Sequence, residues 1–139
     1  MERDKTLGLL SIARKGDNIV LGEEQVGAAA RASRARLVLL ASDAGGHTVR
    51  RAKSFVAGTA QPLLTLRYSK EELGDALGAS VCAVCAITDV RLAQALVKTL
   101  GEPEKHAALL AELDVRVRRV EQRRAEEKAH RDNVRHGKK

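Results

Sequence analysis

Hydrophobic positions change period several times along the chain, and each change marks a predicted element. Leu7, Leu9, Leu10, Ile12 and Ala13 recur at helical spacing, which predicts a helix over about Asp4–Lys15 that ends at Gly16. Asn18–Leu21 reads as a short strand. Glu23–Arg31 reads as a second helix, with acidic residues at its positive N-terminal end. Leu37–Ala41 is an unbroken apolar run of strand length, the pattern of a strand buried on both faces. After the turn Asp43-Ala-Gly-Gly46, His47–Ala57 predicts a helix bearing Arg50, Arg51 and Lys53, and Leu63–Leu66 a third strand. Ser69 and Glu72 have the spacing of a capping box, opening a helix that carries Leu73 and Leu77 and stops at Gly78. Val81–Thr88 predicts the fourth strand, and Asp89–Leu100 a helix capped by Thr88 or Asp89.

Strands alternating with helices imply an α/β fold. We expect a three-layer α/β/α sandwich around a four-stranded mixed sheet. Gly101-Glu-Pro103 breaks the alternation, dividing the chain into a sandwich over 1–100 and a charged helix with a basic tail over 101–139. In the second part Leu109, Leu110, Leu113, Val117 and Val120 form a stripe over about Glu104–Lys128. That stripe is too short for a coiled coil, so the helix is expected to dock in part on the sandwich and then fray.

Composition adds the partner class. Of the 139 residues, 44% are apolar but only 1% are aromatic, so the core must be built from Leu, Val, Ile and Ala. Net charge is +7, and from Arg116 to Lys139 ten Lys/Arg face four Asp/Glu, a balance that favours polyanionic partners. Single-strand binders stack bases on exposed aromatic rings. With Phe55 and Tyr68 as its whole aromatic complement, this chain must rely on shape, backbone contacts and base edges. No segment approaches the roughly 20 apolar residues of a membrane span. The start Met-Glu-Arg-Asp-Lys does not read as a signal peptide, so a cytoplasmic protein with reduced thiols is expected.

Catalytic and metal motifs are weak. Cys82 and Cys85 form a C-x-x-C, but inside an apolar strand residues three apart point to opposite faces and should not share a ligand. They read as small core residues. His47, His106, His130 and His136 are scattered. There is no Gly-x-Ser-x-Gly elbow, no Gly-x-Gly-x-x-Gly and no Walker-type loop. No catalytic residue, metal or cofactor is expected.

The most informative stretch is 22–43. A glycine opens a helix with free backbone N–H groups, and Arg31, Arg34 and Arg36 follow, a combination suited to phosphate. Leu9-Leu-Ser-Ile-Ala-Arg-Lys-Gly16, Gly22-Glu-Glu-Gln-Val26, Arg36-Leu-Val-Leu-Leu-Ala-Ser-Asp-Ala44, Ser69-Lys-Glu-Glu-Leu-Gly74 and Ala83-Val-Cys-Ala-Ile-Thr-Asp89 occur in this order. Together, over about residues 5–98, they resemble the ribosomal protein L-seven-Ae and L-thirty-e superfamily of kink-turn RNA binders, in particular its small bacterial ribosome-linked members.

The resemblance implies a sandwich that binds a sharply bent RNA. The start of its second helix, here Gly22, Glu23, Glu24 and Gln25, would enter the groove at tandem sheared G·A pairs. The loop before the last strand, here Ala79, Ser80 and Val81, would pack on an extruded base. Two positions depart from the family pattern: Glu24 stands where Asn or Lys is usual, and Ala28 where a lysine is usual. Arg34 and Arg36 would then hold phosphates in compensation, with the tail a second source of charge. The expected function is that of a non-catalytic RNA-binding protein. Its expected partners are structured RNA, ribosomal RNA above all, and ribosomal proteins. The alternative is a protein-interaction scaffold whose basic tail binds nucleic acid without specificity.

Overall fold

A computed structural model describes residues 4–136. Ten elements follow one another: α1 (Lys5–Lys15), β1 (Ile19–Leu21), α2 (Glu23–Arg31), β2 (Leu37–Leu40), α3 (Gly46–Val56), β3 (Leu63–Thr65), α4 (Lys70–Leu77), β4 (Val84–Ile87), α5 (Val90–Thr99) and α6 (Ala107–His136). The strands form one sheet in the order β1-β4-β2-β3. β4 runs antiparallel to both β1 and β2, whereas β2 and β3 are parallel, giving the mixed sheet expected from the alternation.

Every residue of β2 and β4 is buried, as the apolar run of β2 predicts. Alternation then sorts their side chains between two cores. Leu37, Leu39, Cys85 and Ile87 pack with Leu10, Leu73, Leu96 and Leu113, beneath α1, α4, α5 and α6. Val38, Leu40, Val84 and Ala86 pack with Val26, Ala29 and Ala52, beneath α2 and α3. The result is the three-layer sandwich.

Two helix starts follow the sequence cues in atomic detail. Ser69 accepts from the Glu72 backbone N–H at 3.1 Å while the Glu72 side chain accepts from the Ser69 N–H at 3.0 Å. Asp89, rather than Thr88, caps α5, accepting from the Arg91 N–H at 3.0 Å. Asp4 caps α1 through the N–H groups of Thr6 and Leu7 and also accepts the Tyr68 hydroxyl at 2.6 Å.

That Tyr68 hydroxyl, with the Leu7 and Thr6 N–H groups and the Arg67 guanidinium, holds the Asp4 carboxyl below its ordinary value of 3.8 against the opposing effect of burial. A carboxylate whose folded pKa is depressed stabilises the fold above its unfolded pKa, and that contribution disappears as pH falls through the folded value. Asp4→Asn keeps a capping side chain but loses the charge. Melting temperatures should therefore separate wild type from Asp4→Asn at pH 7, and the gap should narrow as the pH falls from about 7 to below about 4. A constant gap across that range would refute the assignment.

Two boundaries differ from the pattern-based reading. The fourth strand starts at Val84 rather than Val81, because residues 81–83 form the loop that leads into it. The C-terminal helix does not fray near Lys128 but continues to His136. Leu113 and Val117 anchor its first half in the core, so the costly helix nucleus is already formed when the exposed half propagates. Its Arg, Glu, Ala and Lys content and the Gln122 amide, which donates to Glu126 at 3.1 Å, support that propagation. Among the described residues, no helix is long and apolar enough to cross a membrane.

Candidate nucleic-acid interface

Strand direction gathers the interface. β1 and β2 both run antiparallel to β4, and β3 runs with β2, so the C-terminal ends of β1, β2 and β3 share one end of the sheet. The starts of α2, α3 and α4 follow at that end, beside the start of β4.

The Gly22 N–H donates to the Val84 carbonyl at 3.0 Å, extending the β1–β4 ladder by one bond. The backbone of Gly22 then turns at φ 88, ψ 159 into α2, a conformation essentially closed to residues with a Cβ. No side chain caps α2, so its first-turn N–H groups are open to an external acceptor. Instead the Leu21 N–H donates back to Gln25 Oε1 at 3.2 Å, which leaves the Gln25 amide hydrogens to act as donors.

The opposite wall comes from the loop after α4. Gly78 ends the helix in the left-handed conformation, and the Ala79 N–H returns to the Gly74 carbonyl at 2.8 Å. The loop lies so close to α4 that a Cβ on Gly74 would sit 2.7 Å from the Ser80 carbonyl oxygen and 2.9 Å from that of Ala79. The Cys82 N–H donates to the Lys70 carbonyl at 2.8 Å, and the Lys70 N–H to Asp43 Oδ1 at 2.8 Å. Asp43, which follows β2, thereby ties the α3 and α4 starts together.

Between these walls lies an open depression of about 380 Å³ lined by Leu21, Gly22, Glu23, Thr48, Ala79, Val81, Cys82, Ala83 and Val84. It unites Gly22–Glu23 with Ala79 and Val81. Val81 is 54% exposed, an apolar side chain held in solvent at the mouth. Ser80, Glu24 and Gln25 are exposed on the same rim.

Arg34 and Arg36 are elsewhere. The Arg36 N–H donates to the Ile87 carbonyl at 2.7 Å, at the far end of β4 from Val84. The intervening residues span roughly 10 Å at about 3.3 Å each. Both arginines precede β2, whereas the depression follows it, so they cannot offset the charge of Glu23 and Glu24. That task falls to α3. Arg51 Nε pairs with Glu23 at 3.7 Å, and the guanidinium carbon Cζ lies 5.4 Å from the centre of the Phe55 ring. Thr48 lines the depression, and His47 and Arg50 are exposed on the same helix. The basic run of α3 was visible as a charged helix face, but only the parallel course of β1 and β2 assigns it to this end.

The thiols require a correction. Cys82 precedes β4, so strand alternation does not separate it from Cys85, and both side chains lie in one core. The Cys82 thiol donates to the Val84 carbonyl at 3.3 Å. Contact with Cys82 and complete burial push the Cys85 thiol well above its ordinary value, so it stays protonated. Both are reduced and buried, as their reading as core residues expected. Among the described residues, no group of three or more His, Cys, Asp or Glu could hold a metal ion.

Solved structures share this architecture. A Bacillus halodurans C protein of unknown function is 28% identical, with a TM-score of 0.66 over 70% of this chain and 98% of its own. The Giardia lamblia 15.5kD RNA binding protein is 21% identical and shares the fold at a TM-score of 0.54, over 76% of this chain and 92% of its own. No curated protein sequence matches the chain. The family model of the ribosomal protein L7Ae/L30e/S12e/Gadd45 family matches residues 4–97, through all four strands and five of the helices, and the chain belongs to that family.

Proposed function

We propose that this protein is a non-catalytic, cytoplasmic RNA-binding protein that associates with the ribosome and recognises a kinked, kink-turn-like RNA. The observation that carries the reading is the meeting of the uncapped α2 N-terminus with exposed Val81 in one open depression. Gly22 lets the RNA backbone approach closely, and the first-turn N–H groups supply donors at the positive end of a helix dipole. The Glu24 carboxylate accepts from base amino groups, while the Gln25 amide donates. Val81 offers an apolar face to an extruded base, the stacking role that rings serve in other binders. Arg51 lowers the repulsion between Glu23 and phosphate, and Arg50 adds a cation on the same helix. Family membership and the shared fold of an RNA-binding protein from Giardia lamblia support the ligand class.

A gel-shift titration against a kinked duplex and a plain duplex of equal length tests the reading. We expect at least tenfold tighter binding of the kinked RNA, about 1.4 kcal/mol. Equal affinities would rule out kink recognition.

A further inference from the structure

The end of the sheet remote from the depression is also cationic. α6 packs along α5 and reaches the connection before β3, where the Arg116 guanidinium donates to the Ala60 carbonyl at 3.1 Å and pairs with Glu112. Arg116 is thus committed to holding α6 in place. Arg119 and Arg123, one helical turn apart, then face Arg36 across an open cleft of about 310 Å³ floored by Val90 and Val120. Arg36, Arg119 and Arg123 are exposed, and among the described residues none is paired with a carboxylate. From Glu121 to Val134 every residue of α6 is exposed, so the helix carries Arg124, Lys128 and Arg131 beyond the body on an adjoining face.

We propose that Arg36, Arg119 and Arg123 form a second RNA-binding surface that grips the phosphate backbone of a duplex segment distant from the α2 edge. Three unpaired guanidinium groups around one cleft present forks that match phosphate oxygens. A folded protein partner would need a buried apolar or aromatic anchor at the centre of its contact. The cleft's apolar floor is only the buried Val90 and the half-buried Val120: among the described residues the exposed large apolar side chains are Ile12, Val81, Val115 and Val134, and none lines it. The two surfaces lie at opposite ends of β4, so a single RNA that fills both must pass along the side of the sandwich. The inference rests on the protein binding RNA, but not on kink recognition.

The test compares wild type with the triple variant Arg36→Ala/Arg119→Ala/Arg123→Ala. A control, Lys5→Ala/Lys15→Ala/Lys98→Ala, removes equal charge beside the α1–α5 groove. The probes are a short kinked RNA and a plain RNA duplex of about 20 base pairs, long enough to present a full backbone surface, titrated across a salt series. For the plain duplex, the arginine variant should lose about two to three units from the slope of log affinity against log salt, one per phosphate contact. Affinity should fall at least tenfold, with the control and the short kinked RNA changing less than about threefold. Unchanged plain-duplex binding, or an equal loss in the lysine control, overturns the second surface while leaving kink recognition standing. So does an equal loss on a short kinked RNA that wild type prefers. Equal wild-type affinities for both probes, each lowered by the arginine variant alone, overturn kink recognition and uphold the second surface. Absence of binding to either probe overturns both.

Discussion

Leu113→Ala should destabilise the protein by about 2–5 kcal/mol and release the second half of α6 from its support. Leu113 is completely buried and shares a core with Leu96 and Ile87. Its neighbours on the stripe, Leu109, Leu110 and Val120, are only partly buried, so Leu113 with Val117 supplies the fully enclosed part of the α6 contact. From Glu121 to Val134 every residue of the helix is exposed, and an isolated charged helix of that length is marginal in water. Loss of the anchor should therefore remove helical circular dichroism before the sheet unfolds. At several degrees per kcal/mol, the melting temperature should fall by about 10 °C or more. A shift below about 2 °C would show that α6 is not anchored through this residue. Plain-duplex binding should weaken with it, because α6 carries Arg119 and Arg123.

Gly22→Val should abolish preferential binding of kinked RNA while leaving the sandwich folded. A Cβ on Gly22 meets no atom within 4 Å, so crowding within the protein is not the cause. The strain lies in the backbone, since φ 88 with ψ 159 is a region that a β-branched residue does not occupy. Relief requires rebuilding the link from β1 into α2, at a cost of about 1–3 kcal/mol. Because Gly22 lines the depression, that rebuilding moves the first-turn N–H groups and places methyl groups where RNA must approach. Affinity for the kinked RNA should drop at least tenfold, about 1.4 kcal/mol, whereas plain-duplex binding through the arginine cleft should persist. Retained kink preference with a native melting curve would remove Gly22 and the α2 start from the interface.

The two variants probe features of unequal visibility in sequence. Leu113 announces itself by helical spacing with Leu109, Leu110, Val117 and Val120, and burial of that stripe follows from the hydrophobic effect alone. Gly22 could be singled out because a glycine preceding a helix signals either a turn or a close approach. Its positive φ required coordinates. Cys82 and Cys85 were legible as core but not as neighbours, since their contact depends on β4 starting two residues after Cys82 rather than before it.

Local pattern sufficed for the elements, the caps at Ser69 and Asp89 and the buried character of Leu37–Leu40, because each is set by residues within a turn or two of chain. Ordered motifs went further and marked Gly22–Gln25 and Ala79–Val81 as halves of one surface. Which cations serve that surface was a different kind of question. Arg34 and Arg36 lie closer to Gly22 along the chain than Arg51 does, yet Arg51 reaches Glu23 and Arg36 reaches Ile87. Separation along the chain says nothing about which end of a strand a residue occupies. That is decided by strand direction and pairing, which are long-range contacts. The same pairing that takes Arg36 from the depression places it opposite Arg119 and Arg123, and so separates one basic chain into two differently charged ends.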